Sequence, residues 1–191
     1  MFFNKVFKKK DNVKFIHLIR DPRDNYASLK SGIKKHYSKL GEDNIILLSS
    51  MINRAKLDFK FIYLNKKIYG DQNYLVIKYE DLIKKTDKCM KKISKFLKVK
   101  YSNEMLFSSI FNIKTKSNTF TKNKTIKINR KSLARWKNEL SQKEKSIINF
   151  FFKNELKKFY QIDTSKEFEY EHISDFYSLT NKRFFFNDSF R

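Results

Sequence analysis

Lys14-Phe-Ile-His-Leu-Ile-Arg-Asp-Pro-Arg-Asp-Asn-Tyr-Ala-Ser28 holds Pro22, the only proline of the chain, and sets the expected architecture. Phe15 to Ile19 is a short apolar run, which predicts a strand buried on both faces, as in a parallel sheet. Asp21 fits as a helix N-cap and Pro22 as the first helical residue, where a missing N–H costs nothing. Tyr26, Leu29 and Ile33 continue at helical spacing. The segment therefore reads strand, turn, helix.

A second helix is predicted from about Asp43 to Lys67, with Leu48, Met51, Ile52, Ala55, Phe59, Ile62 and Tyr63 forming one apolar stripe. Tyr74 to Lys78 reads as another short buried strand. A turn through Tyr79-Glu80-Asp81-Leu82 leads to a helix near Asp87 to Leu97, with Met90, Ile93, Phe96 and Leu97 on one side. This alternation predicts the α/β class, a parallel sheet flanked by helices and joined by a right-handed crossover. Lys98 to Lys131 lacks periodicity and reads mainly as loop. Ser141-Gln-Lys-Glu144 has the form of a capping box, opening a helix to about Lys158 that carries Ile147, Ile148, Phe151, Leu156 and Phe159. Past Tyr160 the chain reads as aromatic and irregular, ending in Arg183-Phe-Phe-Phe. No internal repeat and no linker rich in Pro, Gly or Ser divides it.

The chain has 191 residues, enough for one domain with a sizeable core. Its 43 Lys+Arg against 20 Asp+Glu give a net charge of +23, yet 40% hydrophobic residues exclude a disordered polycation. No stretch reaches the roughly 18 apolar residues of a membrane span, and Met1 to Asn12 lacks a signal-peptide core, so a cytoplasmic location is expected. A single cysteine, Cys89, excludes an internal disulfide and a Cys-x-x-Cys pair. His17, His36 and His172 are too scattered for His-Glu-x-x-His zinc chemistry, and no metal is expected. Gly32, Gly41 and Gly70 are far apart, so no glycine-rich phosphate loop can form. The positive charge favours polyanionic partners. An AT-rich coding sequence, which enriches Lys, Asn, Ile and Phe, explains the charge equally well.

Ligands of a parallel sheet sit at the carboxyl ends of its strands. Arg20 occupies that end, and Ser28 follows about two helical turns later. A guanidinium gives charge-assisted, often bidentate bonds to phosphate, and a hydroxyl adds a neutral donor. The pair can therefore grip a phosphate without a glycine loop. The competing reading makes Arg20 a strand-end ion pair with Asp21 or Asp24, and Ser28 a helix-surface residue.

Lys14 to Ser28 resembles the 3′-phosphate-binding segment of sulfotransferases that use 3′-phosphoadenosine-5′-phosphosulfate (PAPS). In that family a strand ends in Arg-Asp-Pro-Arg-Asp and a serine lies on the helix behind it. Two further stretches are similar to the same family, in the same order. One is Tyr74-Leu-Val-Ile-Lys-Tyr79-Glu80-Asp81-Leu82 with the helix ending Phe96-Leu97. The other is Arg130-Lys131-Ser132-Leu-Ala-Arg-Trp136-Lys137-Asn138, similar to the family's Arg-Lys-Gly loop and following Trp-Lys. The resemblance implies a P-loop-nucleotide-hydrolase-like sulfotransferase fold over residues 1–160, with 161–191 as an aromatic and basic extension. It further implies that Arg20 and Ser28 hold the 3′-phosphate, and that Arg130, Lys131 and Ser132 close over it. Tyr79 would meet the adenine, and Asn118 and Phe120 resemble a segment that packs on that base. Residue by residue, a core-facing Tyr79 and a solvated 130–132 stretch are the competing readings. Trp136 is expected to be a packing anchor, and Asp24 and Glu80 to orient basic residues.

Where the family usually has proline after Tyr-Glu-Asp the chain has Thr86, and where it has glycine after Phe-Leu the chain has Lys98. The glycine of Arg-Lys-Gly is Ser132, which loses freedom at positive φ. Only 19 residues precede Arg20, and they contain neither the family's phosphosulfate loop nor its general base. The fold is thus expected to be incomplete at its amino end, carrying the 3′-phosphate half of the cofactor site. Neither His17, expected in the core, nor His36, expected at a helix end, is nominated as base, and the catalytic residues stay unknown. The implied reaction moves a sulfuryl group from PAPS to a hydroxyl or amine, leaving adenosine-3′,5′-bisphosphate (PAP). This chain alone is expected to bind the 3′-phosphoadenosine portion weakly and turn over little. The acceptor class is open, carbohydrate and peptide both being compatible with the basic surface; nucleic acid is not expected, and the oligomeric state is open. The alternative is a non-catalytic basic module for nucleic acid or anionic polysaccharide, supported by the charge and by Phe184-Phe185-Phe186 near Arg183 and Arg191.

Overall fold

The computed structural model describes residues 13–36, 44–107, 109–110, 113–114 and 130–181. They form two compact units.

The first unit is built on the predicted parallel pair. Strand β1 (Phe15–Ile19) lies beside β2 (Tyr74–Lys78), with Phe15 opposite Tyr74 and Ile19 opposite Lys78. Tyr69 packs 4.6 Å from Phe15 and stacks on Tyr74, and the His17 imidazole hydrogen-bonds the Tyr74 hydroxyl. Lys14 donates to the Gln72 carbonyl at 2.7 Å and lies over the Phe96 ring. The turn expected at Tyr79–Leu82 is a short helix, α3 (Tyr79–Lys84), followed by α4 (Thr86–Leu97). Lys98 closes α4 in the left-handed region at φ 59°, while the Val99 N–H reaches the Ser94 carbonyl at 3.0 Å. That conformation is why glycine suits the position, and lysine adopts it at a cost of about 1 kcal/mol. The expected loop after Lys98 contains a 3-10 turn (Asn103–Leu106) and a minimal antiparallel pair, Ser109–Ile110 with Ile113–Lys114.

Burial of β1 on both faces is not what the structure shows. Ile16 and Leu18 are 41% and 48% exposed. Alternation along the strand aims both at the same face, and among the described residues no layer covers it.

The second unit opens with α1 (Pro22–His36), where the Arg23 N–H donates to Asp21 Oδ1 at 2.9 Å, the N-cap the sequence predicts. Helix α2 (Asn44–Asn73) gives its residues up to Phe59 to this unit and the rest to the first. Leu48, Met51, Ile52 and Phe59 are buried, as is Ile62 further on, but Tyr63 is exposed because it lies at the margin of the stripe. Gly70, at φ 66° and ψ 170°, breaks the helix three residues before its last assigned residue, a conformation glycine adopts without a Cβ penalty.

Short α5 (Trp136–Glu139) precedes α6 (Gln142–Glu155), which begins with the complete Ser141–Glu144 capping box. A π turn (Leu156–Tyr160) extends α6 until Gln161 at φ 56° ends it. The Phe59 ring packs 6.0 Å from Phe152 and 5.4 Å from Phe159. The irregular stretch expected past Tyr160 instead contains α7 (Tyr170–Asn181). Ile173, Phe176 and Thr180 recur at helical spacing and are buried, with Phe176 5.6 Å from Phe151.

Candidate functional site

The site grows from the single residue between β1 and the N-cap of α1. Arg20 follows β1 directly, and its Nη2 donates to the Ser132 carbonyl at 3.0 Å, joining segments 112 positions apart. The next residues hold that second segment. Asp24 is 2% exposed, its Oδ2 accepting from the Ala134 N–H at 2.7 Å and its Oδ1 from the Trp136 N–H at 3.1 Å. Arg23, also 2% exposed, forms a two-pronged pair with Asp21, Nε to Oδ1 at 3.0 Å and Nη2 to Oδ2 at 2.7 Å. Its guanidinium lies 4.1 Å above the Trp136 ring. The first turn of α1 is thereby a clamp on residues 132–136.

The clamp is braced from α6. Glu144 closes its capping box on the Ser141 N–H and receives Lys30 Nζ at 2.8 Å on both carboxylate oxygens. The buried Tyr26 hydroxyl donates to Glu144 Oε1 at 3.3 Å. Burial, and then the neighbouring carboxylate, hold the Tyr26 phenol far above its ordinary pKa, so it remains a neutral donor.

Arg20 and Ser132 are brought together. Ser28 is half-buried on α1, and its hydroxyl has no hydrogen-bond partner among the described residues. Arg130 is exposed at the start of a 3-10 turn (Arg130–Ser132) that also contains Lys131, whose side chain lies outside the described residues. Tyr79 belongs to the other unit, half-buried as the first residue of α3, and Glu80 follows it there. Asn118 and Phe120 lie outside the described residues. His17 is half-buried in β1 and His36 is the last residue of α1.

Two expectations change in kind. Asp24 does not orient a basic side chain but holds two backbone N–H groups, because its place in the first turn of α1 aims it at the chain after Ser132. Ser132, which replaces the family's glycine, does not take up positive φ; that conformation falls two residues on, at Ala134, φ 56°. Trp136 is the packing anchor the sequence suggests, and its partner is Arg23, which the sequence reading left unassigned. A clue was present: an acid and a base two positions apart at a helix start, with one tryptophan in the whole chain.

Chemically, the arrangement offers a guanidinium, an unengaged hydroxyl and the exposed Arg130, while the neighbouring carboxylates are occupied by Arg23 and by backbone N–H groups. It suits a phosphate or another compact anion. Among the described residues there is no cluster of metal-ligating side chains, and no helix is long and apolar enough to cross a membrane. Compared with known families, residues 2–160 match the model of the sulfotransferase domain. The chain belongs to the sulfotransferase family. Among curated proteins and among solved structures, nothing matches it significantly.

Proposed function

We propose that the chain works in transfer of a sulfuryl group from PAPS to a hydroxyl or amine acceptor, and that the clamp at Arg20 is its 3′-phosphate site. The observation that carries this reading is the Arg20–Ser132 contact. It unites two remote segments, each of which resembles a phosphate-binding element of PAPS enzymes.

The donor set fits the 3′-phosphate of PAPS. Arg20 supplies a fixed positive charge, Ser28 a hydroxyl donor, and Arg130 with Lys131 and Ser132 closes from the facing turn. Asp24 and Arg23 hold that turn without touching the ligand. Tyr79 would pack on the adenine, with Asn118 and Phe120. PAPS, when bound, supplies the sulfuryl group that is transferred. Arg20 binds and orients the nucleotide, and no residue of this chain is assigned as base. The parallel β1–β2 pair would be part of a P-loop-nucleotide-hydrolase-like sheet over residues 1–160, with 161–191 as an extension.

The test is thermal unfolding with PAP, 5′-AMP and no ligand, on wild type and Arg20→Ala. PAP should raise the Tm of the wild type, 5′-AMP should do so much less, and the variant should lose most of the PAP effect. At a ligand concentration of 100 Kd, stabilisation would be about 2.7 kcal/mol. Equal shifts by PAP and 5′-AMP, or a PAP shift retained in Arg20→Ala, would remove the 3′-phosphate assignment.

A further inference from the structure

A second basic feature lies wholly within the first unit. A cleft of about 550 Å³ runs between β2 and α4, and its lining includes Lys78, Lys85, Lys88, Lys91, Lys92 and Lys95 with, among the described residues, a single carboxylate, Asp81. Lys78 pairs with Asp81 at 3.4 Å, and Lys91 with Asp87 at 2.8 Å. The ammonium groups of Lys85, Lys88, Lys92 and Lys95 meet no carboxylate among the described residues. Their three- and four-residue spacing stacks them along α4, where like charges oppose helix formation. Lys85 is also the N-cap and Lys88 sits in the first turn, the end where the helix dipole disfavours cations. Local helix stability thus runs against this arrangement.

The floor narrows the ligand class. Val76, Ile77 and Lys78 are consecutive in β2 and all line the cleft, although neighbouring side chains of a strand point to opposite faces. Consecutive strand residues share one cleft where it meets the strand's edge, and among the described residues β2 pairs only with β1. Val76, Ile77 and Cys89 supply the apolar part of the lining, and among the described residues no aromatic ring lines the cleft for base stacking. Among the described residues no arginine supplies a phosphate fork either.

We propose that this cleft docks an extended acidic peptide segment, which adds alongside β2 while its carboxylates meet the α4 lysines. The segment's alternate residues, pointing to the face opposite its carboxylates, are apolar. Backbone hydrogen bonds to the edge that pairs with no other described strand supply affinity, and alternating side chains supply selectivity. The proposal does not rest on the cofactor reading, because none of its residues belongs to the Arg20 clamp.

The test is fluorescence anisotropy with a labelled heptapeptide of alternating glutamate and valine. Three proteins are compared: wild type, Lys85→Gln/Lys88→Gln/Lys92→Gln/Lys95→Gln, and a charge-matched control, Lys137→Gln/Lys153→Gln/Lys157→Gln/Lys166→Gln. The cleft variant should bind at least about tenfold more weakly at 0.15 M salt, and the control should stay near wild type. A peptide methylated at alternate backbone nitrogens keeps its charges but cannot add as a strand, and should bind poorly. Equal loss in both lysine variants would show a diffuse field and overturn the proposal. Undiminished binding of the methylated peptide would overturn strand addition. Displacement of the peptide by a heparin tetrasaccharide or a short oligo-dT at lower concentration than by unlabelled peptide would assign the cleft to those polyanions instead.

Discussion

Replacing Arg23 with alanine is expected to destabilise the protein by about 3–5 kcal/mol, a large part of the roughly 5–15 kcal/mol that holds a typical domain folded. Both members of the Arg23–Asp21 pair are buried, at 2% and 5% exposure, so removing the guanidinium leaves a carboxylate away from water. The Trp136 ring loses its stacked cation as well. For a chain of this size the loss corresponds to a Tm lowered by roughly 6–20 °C. Arg23→Lys keeps the charge but not the planar fork, and should fall between wild type and alanine. The double variant Asp21→Asn/Arg23→Met leaves no unpaired charge, and should be less damaging than the two single losses added together. Urea unfolding of wild type, these three variants and the single variants Asp21→Asn and Arg23→Met measures this. A loss below about 1 kcal/mol for Arg23→Ala would place the pair with exposed ion pairs and contradict its buried description.

Asp24→Ala should cost about 3 kcal/mol through a different route. The carboxylate accepts two backbone N–H groups, and hydrogen bonds to a charged acceptor contribute about 1.5–3 kcal/mol each, less what water restores. The loss should be local. Amide hydrogen exchange at Ala134 and Trp136 should speed up far more than exchange along α6. Ala134, no longer held at φ 56°, should relax toward ordinary helical or extended backbone. PAP stabilisation should weaken even though Asp24 is given no contact with the ligand, because Arg20 and Ser132 would lose their mutual register. Unchanged exchange at both amides would mean that the turn is held by something other than this carboxylate.

The parts legible in the sequence are those specified by neighbours in the chain. Pro22 after Asp21 marks a helix start wherever the rest of the fold goes, and Ser141 with Glu144 does the same for α6. The apolar run at Phe15 locates a strand, and a strand end locates Arg20. What a linear reading could not supply was the partner of each polar group. Asp24 could have paired with any nearby cation, and only the course of the chain after Ser132 turns it toward backbone. Helix α7 was hidden because the segment around Phe168 and Tyr170 is uniformly aromatic, which blurs the helical spacing of Ile173, Phe176 and Thr180. The lysines of α4 were visible as charge but not as a cleft, since 43 basic residues along the chain give no contrast.

The parallel strands also bear on the order in which the molecule assembles. His17 and Tyr74 meet across 57 positions, so the chain must close a long loop before the first bond of the ladder forms. Helices α1, α4 and α6 draw on contacts a few residues apart and carry no such entropic delay. The Arg20–Ser132 contact itself spans 112 positions, so the proposed phosphate site should likewise form late in refolding. In stopped-flow refolding, helical circular dichroism should recover first and PAP binding should return later. Simultaneous recovery would mean that the grip forms without waiting for the sheet.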